Sequence, residues 1–252
     1  GLALIERAGC YGCHNIKKYE DRKPVGPNLT KVATKIEDEG WTRNWIKNPQ
    51  DFRHNTWMPK FYGLLNNRDA DERNDQEVHA IAHYLYQNSS EFEMAEIPIR
   101  GDAETGETLF NSLGCMGCHQ ISPELAIEST DFLPTDTNAQ KKAKIVDHRE
   151  KMRLEQGPNL IGTGVKTSPK WVYNWLKDPT QYNPDTRMPN LRLTDKEAAD
   201  LTSYLVTLRQ TFKKTNVRSL NKEILSTITE EFLEGSKSEV EVEAEIKEMS
   251  TD

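Results

Sequence analysis

Cys10, Cys13 and His14 stand in the run Cys-x-x-Cys-His, and Cys115, Cys118 and His119 repeat it. These two runs use all four cysteines of the 252-residue chain. Thiols at this spacing could form disulfides, serve as a redox dithiol, or supply half of a zinc site. None of those chemistries needs a histidine at the next position, and none explains the duplication. Covalent attachment of haem uses that histidine, and two haems would account for two copies. Two thiols add across the two vinyl groups of one porphyrin, and the following imidazole then lies beneath the iron. Cys10 and Cys13 are therefore read as the thioether cysteines of one haem c with His14 as its proximal ligand. Cys115, Cys118 and His119 are read in the same way for a second.

An iron held by one imidazole still lacks its sixth ligand. Met58 and Met188 each precede a proline, 44 and 69 residues beyond their histidines. A thioether sulfur is soft and favours ferrous iron, so this pairing raises the reduction potential. Their matching places make them the expected ligands, although a methionine is more often a core filler. His54, His79, His83 and His148 are competitors. His79 and His83 sit four apart on one predicted helix face, a spacing that can hold a metal. Two polar residues on a partly packed face is the plainer reading.

The elements that position these residues also occur twice. "GLALIERAGCYGCH" (1–14) matches "GETLFNSLGCMGCH" (106–119), and "GPNL" recurs at 26–29 and 157–160. "WTRNWIKNP" (41–49) matches "WVYNWLKDP" (171–179), and Met58-Pro59 matches Met188-Pro189. Each half closes on an aliphatic–aromatic helix, at 78–88 and 198–208. Neither half shows strand-like alternation, so the expected fold class is all-α. The cysteine motifs are offset by 105 residues and the later landmarks by about 130, so the second half carries an insertion at 120–156. Its charged part reads as a helix over about 138–155. The first half has a smaller excursion at 60–75. Pro98 and Gly101 mark the join, giving domains at 1–98 and 99–215 and a tail at 216–252.

Composition agrees with buried cofactors. Apolar residues are 35% of the chain and mean hydropathy is −0.78, low for a globular chain of this length. Two buried haems would supply apolar volume that the side chains do not. No apolar run approaches a membrane span. No secretory signal is visible, and the opening on Gly1 reads as a processed or excised piece of something longer. The tail holds four Lys/Arg against ten Asp/Glu, which leaves the rest nearly neutral. With no basic stripe, nucleic acid is not an expected partner. Within the tail, Leu220, Ile224, Leu225, Ile228, Phe232 and Leu233 trace one face of a helix at about 219–234. That helix is expected to pack on the body or on a neighbouring subunit. An acidic, weakly helical end follows.

Taken together, each half resembles a class I cytochrome c domain, over residues 1–88 and 104–210. The resemblance implies two tandem helical domains, each wrapped round one covalently attached haem. It implies that the carbonyls of Pro27 and Pro158 accept the Nδ1–H bond of the proximal histidines. It also implies that the closing helix crosses the first, with Tyr84 and Tyr204 at the crossings and Gly1 and Gly106 permitting close approach. Trp41, Trp45, Trp171 and Trp175 are candidates for contact with porphyrin edges or carboxylates, or are plain core. Arg187 is a further candidate for neutralising a haem carboxylate. Asn28 and Asn159 read as loop formers. The tandem is similar to bacterial multi-haem cytochromes that accompany membrane quinol-oxidising complexes of the cytochrome b type.

The expected function is single-electron transfer between redox proteins in a bacterial respiratory chain, in the periplasm or on the outer face of the cytoplasmic membrane, by an electron carrier and not an enzyme. The alternative is a di-haem enzyme, a peroxidase or a sulfur-compound dehydrogenase, with one labile or His-ligated iron.

Overall fold

The computed structural model describes residues 1–20, 25–53, 56–62, 70–122, 132–153, 157–210 and 217–234, with only the backbone described over 147–153. His54 and the side chain of His148 lie outside the described residues. So do parts of the 60–75 excursion and the 120–156 insertion, and the acidic end from 235.

The described elements are helical. In the first half α1 (Leu2–Arg7), α2 (Val32–Lys35), α3 (Glu39–Lys47) and α4 (Ala70–Gln87) follow one another. The second half has α5 (Ala103–Ser112), α6 (Asn138–Arg153), α7 (Thr163–Lys166), α8 (Pro169–Lys177), α9 (Pro179–Tyr182) and α10 (Asp195–Leu205). The tail supplies α11 (Lys222–Glu234). Among the described residues there is no strand, only an isolated bridge between Ile16 and Tyr19.

Local chemistry sets the helix starts. Asp38 accepts from the Gly40 amide at α3, Asp102 from Thr105 at α5, and Ser168 from Trp171 at α8. Pro169 opens α8, where its missing N–H has no partner to lose. At α10, Thr194 and Glu197 bond reciprocally in a capping box. Two elements differ from the sequence reading. Helix α4 begins eight residues before Val78, inside the expected excursion, where Asp71 and Glu72 suit a first turn. Helix α10 ends at Leu205, three residues short of the expected 208.

Two hydrophobic cores result. Leu4, Ile5, Ile46, Val78, Ile81 and Leu85 centre the first, and Phe110, Trp171, Val172, Leu176, Leu201 and Leu205 the second. In both, the opening helix crosses the closing one at a glycine. A Cβ on Gly1 would lie 2.5 Å from the Tyr84 Cβ, and one on Gly106 would lie 2.8 Å from the Tyr204 Cβ and collide with the Asp200 carbonyl. The resemblance placed these residues at the crossings, and the backbone contact is the physical reason for glycine there. Phe92, Met94 and Ile97 pack on the second core, so the stretch before Pro98 leans toward the half it precedes.

Helix α11 lies against α4. Ile228 is buried at 2% exposure, and the Arg7 guanidinium sits 4.6 Å from the Phe232 ring centre. The chain leading into α11 is tied down first. Asp75 accepts from the Arg218 amide at 3.1 Å, Gln76 accepts from the Asn221 amide at 2.7 Å, and His79 Nε2 donates to the Arg218 carbonyl at 2.8 Å. That bond occupies His79 in fixing the tail, while His83 on the same helix is exposed. The tail thus runs from the second half back across the first.

Candidate haem-binding sites

Each Cys-x-x-Cys-His begins with a glycine that turns the chain. Gly9 and Gly114 hold φ of 68° and 77°, in the left-handed region that side chains avoid. A single 3-10 turn follows, Cys10–Gly12 and Cys115–Gly117, and the histidine amide bonds back to the first cysteine carbonyl at 3.0 and 2.9 Å. Both thiols and the imidazole are thereby fixed on one short loop. Burial pushes the Cys10 and Cys115 thiols up, which keeps them protonated.

The two imidazoles are held identically. His14 Nδ1 lies 2.8 Å from the Pro27 carbonyl, and His119 Nδ1 lies 2.8 Å from the Pro158 carbonyl. A donor at Nδ1 leaves Nε2 as the bare nitrogen, the one available to a metal. Burial also lowers the pKa of His14, against the opposing pull of the Pro27 carbonyl, which favours the neutral ring. The residue before each proline matters as much. A Cβ on Gly26 would stand 2.5 Å from His14 Cε1, and one on Gly157 2.5 Å from His119 Cε1. Glycine keeps the ring's flank clear, a role the sequence reading did not give to Gly26 or Gly157. The repeated "GPNL" carried the signal. Asn28 and Asn159 shape the same loops, their Oδ1 atoms accepting from the amides of Thr30 and Ile161 at 2.8 and 3.0 Å.

The methionine side repeats as closely. Trp45 Nε1 donates to Met58 Sδ at 2.9 Å, and Trp175 Nε1 donates to Met188 Sδ at 2.9 Å. The hydroxyls of Thr56 and Thr186 accept from the Met58 and Met188 amides, each at 3.2 Å. These threonines were not singled out in the sequence, although both stand two residues before the methionine. The tryptophan pairs stack, with Trp41 5.4 Å from Trp45 and Trp171 5.2 Å from Trp175 between ring centres. Phe52 and Tyr182 brace the pairs edge-on from equivalent positions.

Helices α3 and α8 divide the four tryptophans by role. Their later members, Trp45 and Trp175, hold the sulfurs. The earlier members, Trp41 and Trp171, bury their indole Nε1 atoms; that of Trp41 makes no hydrogen bond, and that of Trp171 has the Tyr182 hydroxyl beside it. A buried orphaned donor is costly, by about 1–3 kcal/mol, so Trp41 points to a missing acceptor.

A cavity of about 1330 Å³ opens between the halves. Cys115, Cys118, His119, Pro158, Trp175 and Met188 line it from the second half, and Pro27, Trp41, Trp45, Phe52 and Trp57 from the first. Arg187 is on the lining, as expected of a residue facing a haem carboxylate. Cys10, Cys13, His14 and Met58 are not on the lining of this cavity. The residues fit a haem: paired thiols, an imidazole with its free nitrogen set, a held thioether, aromatic walls and, at Trp41, a buried indole donor without an acceptor.

Comparison with known proteins supports part of this picture. A family model described as cytochrome c matches residues 103–209. A curated cytochrome c from Tetrahymena pyriformis is 29% identical over 109 residues, covering 42% of this chain and 87% of that protein. No solved structure matches. The second half is thus similar to cytochrome c by sequence, and the first half repeats its local geometry.

Proposed function

We propose that the chain is a di-haem c-type cytochrome that passes single electrons between redox proteins. The observation that carries this reading is the repetition, half for half, of the His–Pro and Trp–Met hydrogen bonds at equal lengths. A structural role for one such arrangement is easy to imagine. Two, each beside a Cys-x-x-Cys-His loop, answer to one recurring ligand. The match of residues 103–209 to cytochrome c supports it further.

Bound haem would supply a one-electron ferric–ferrous couple. Cys10, Cys13, Cys115 and Cys118 would fasten it through thioethers. His14 and His119 would present Nε2, with Pro27 and Pro158 fixing ring orientation and raising basicity. Met58 and Met188 would present sulfur from the opposite side. A thioether sulfur has two lone pairs, so the indole bond and a metal bond are compatible. Aromatic walls from Trp41, Trp45, Trp171 and Trp175 would exclude water and so limit the reorganisation that accompanies a change of charge. An iron closed on both sides has no place for a substrate, which favours an electron carrier over an enzyme.

We place the protein in a bacterial respiratory chain, in the periplasm or on the outer face of the cytoplasmic membrane. Its redox partners would include a membrane quinol-oxidising complex. Among the described residues no helix is long and apolar enough to cross a membrane.

Intact mass is the direct test: two added haems are expected, and a bare polypeptide would sink the proposal. The oxidised protein should then show the far-red sulfur-to-iron band at two-haem intensity, and the reduced protein should not bind carbon monoxide. Prompt binding at one haem would favour the enzyme reading. Met188→Ala should lower the potential of one haem alone.

A further inference from the structure

The seam between the halves carries a reciprocal arrangement. Lys35 ends α2 and Lys166 ends α7, equivalent positions nine residues beyond the glycine of each "GPNL". Neither lysine stays with its own half. Lys35 Nζ sits 4.6 Å from the ring centre of Trp171, and Lys166 Nζ sits 4.9 Å from that of Trp41. The two tryptophans so covered are the two that do not reach a sulfur.

Both lysines line the central cavity, and Arg53 lines it with them. The Arg53 guanidinium donates to the Asn159 carbonyl, again across the seam. Among the described residues neither lysine forms an ion pair. Asp51 and Asp185 are the acidic side chains on the cavity wall. Four cations, Arg187 among them, therefore line one cavity. Burial and the neighbouring cations push Lys35 down to about 8 and Lys166 well below its ordinary value. Such a shift marks positive charge held away from water.

Cation–π contact alone explains a lysine on a tryptophan. It does not explain why this happens twice, in exchanged halves. An indole N–H and an ammonium converging on one space make a site for carboxylate. Resting on the di-haem reading, we propose that the halves exchange lysines: Lys35 neutralises the haem carboxylates of the second half beside Trp171, and Lys166 those of the first half beside Trp41. Each haem pocket is then completed by the half that does not attach it. The charge around either iron is set partly by the other domain.

The test uses the full holoprotein. Intact mass first counts haems in wild type, Lys35→Met and Lys166→Met, since loss of a haem from wild type is a failure of the di-haem reading and not of the exchange. Spectroelectrochemistry then follows the two haems separately, assigned in a Met188→His background, where the second haem loses its far-red band, and in the reciprocal Met58→His background. Removing a positive charge favours ferric iron. Lys35→Met is expected to raise the oxidised-to-reduced ratio of the second haem, at fixed ambient potential, by about threefold more than that of the first. Lys166→Met is expected to do the reverse. Lys35→Arg and Lys166→Arg, which keep the charge, should leave both ratios near wild type and so separate loss of charge from loss of packing. Shifts confined to the lysine's own half, equal at both haems, or absent overturn the proposal.

Discussion

Trp175 Nε1 stands 2.9 Å from the sulfur of Met188, near the limit of approach for an N–H donor to a thioether. The contact joins α8 to a loop 13 residues further on. It keeps a flexible side chain from drifting, and Trp45 does the same for Met58. An N–H on the sulfur also draws electron density from it, which matters if that sulfur is a ligand.

Trp175→Phe keeps the aromatic wall and removes the donor. The lost hydrogen bond is worth about 1 kcal/mol. A more electron-rich sulfur should lower the potential of the second haem, and a looser one should weaken its far-red band, with the first haem unchanged. Spectroelectrochemistry reads both. Equal effects on the two haems would show that Trp175 acts by general packing.

Gly157→Ala places a methyl 2.5 Å from His119 Cε1. The ring must tilt or the loop must shift, and overpacking of this kind costs about 1–3 kcal/mol. The expected outcome is a lower denaturation midpoint with a perturbed spectrum of the second haem only. A variant as stable as wild type, with an unchanged spectrum, would mean that Gly157 has no steric duty.

Ile228→Ala should loosen α11 from α4. Ile228 is 2% exposed, and truncation of such a residue costs about 2 kcal/mol or more. The tail grips the outside of the first core, away from the cavity, so both haem potentials should hold while the urea midpoint falls. A changed potential would connect the tail to the redox sites.

Alkaline pH should weaken the fold in a defined window. Burial, helped by the Asp195 carboxylate that Tyr173 donates to at 2.9 Å, raises the Tyr173 phenol from 10 to about 12. Burial raises Tyr86 to about 12 as well, where it bonds the Ile36 carbonyl at 2.5 Å. A folded pKa above the unfolded one means that the fold binds the proton more tightly. The stabilisation is complete below pH 10 and is lost as pH climbs through 12. Urea unfolding between pH 9 and about 12 should show this decline. In Tyr173→Phe with Tyr86→Phe the decline should be shallower, and an unchanged slope would contradict the assignment.

Much of the candidate site was legible in the sequence because its parts are local. Two thiols and an imidazole share five residues, and a turn of that length has few shapes. The recurring "GPNL" and Met-Pro told which prolines and methionines to match. The meaning of Gly26 and Gly157 was less visible, since it depends on a ring folded back from 12 and 38 residues earlier. The parting of Trp41 from Trp45, and of Trp171 from Trp175, could not be read either. All four lie on the inner face of a helix, and only packing decides which indole meets a sulfur and which meets none.

The sequence by itself determined a helical chain written twice, with candidate attachment motifs, candidate proximal histidines and candidate sixth ligands at fixed places. These follow from short-range spacing, where bond lengths and helix geometry leave little freedom. Tertiary structure alone decided how the two halves face each other. Lys35 reaching Trp171 and Lys166 reaching Trp41 are contacts more than a hundred residues apart in the chain. No local rule specifies such a pairing, because it depends on which surfaces of two separately folded cores hide the most from water.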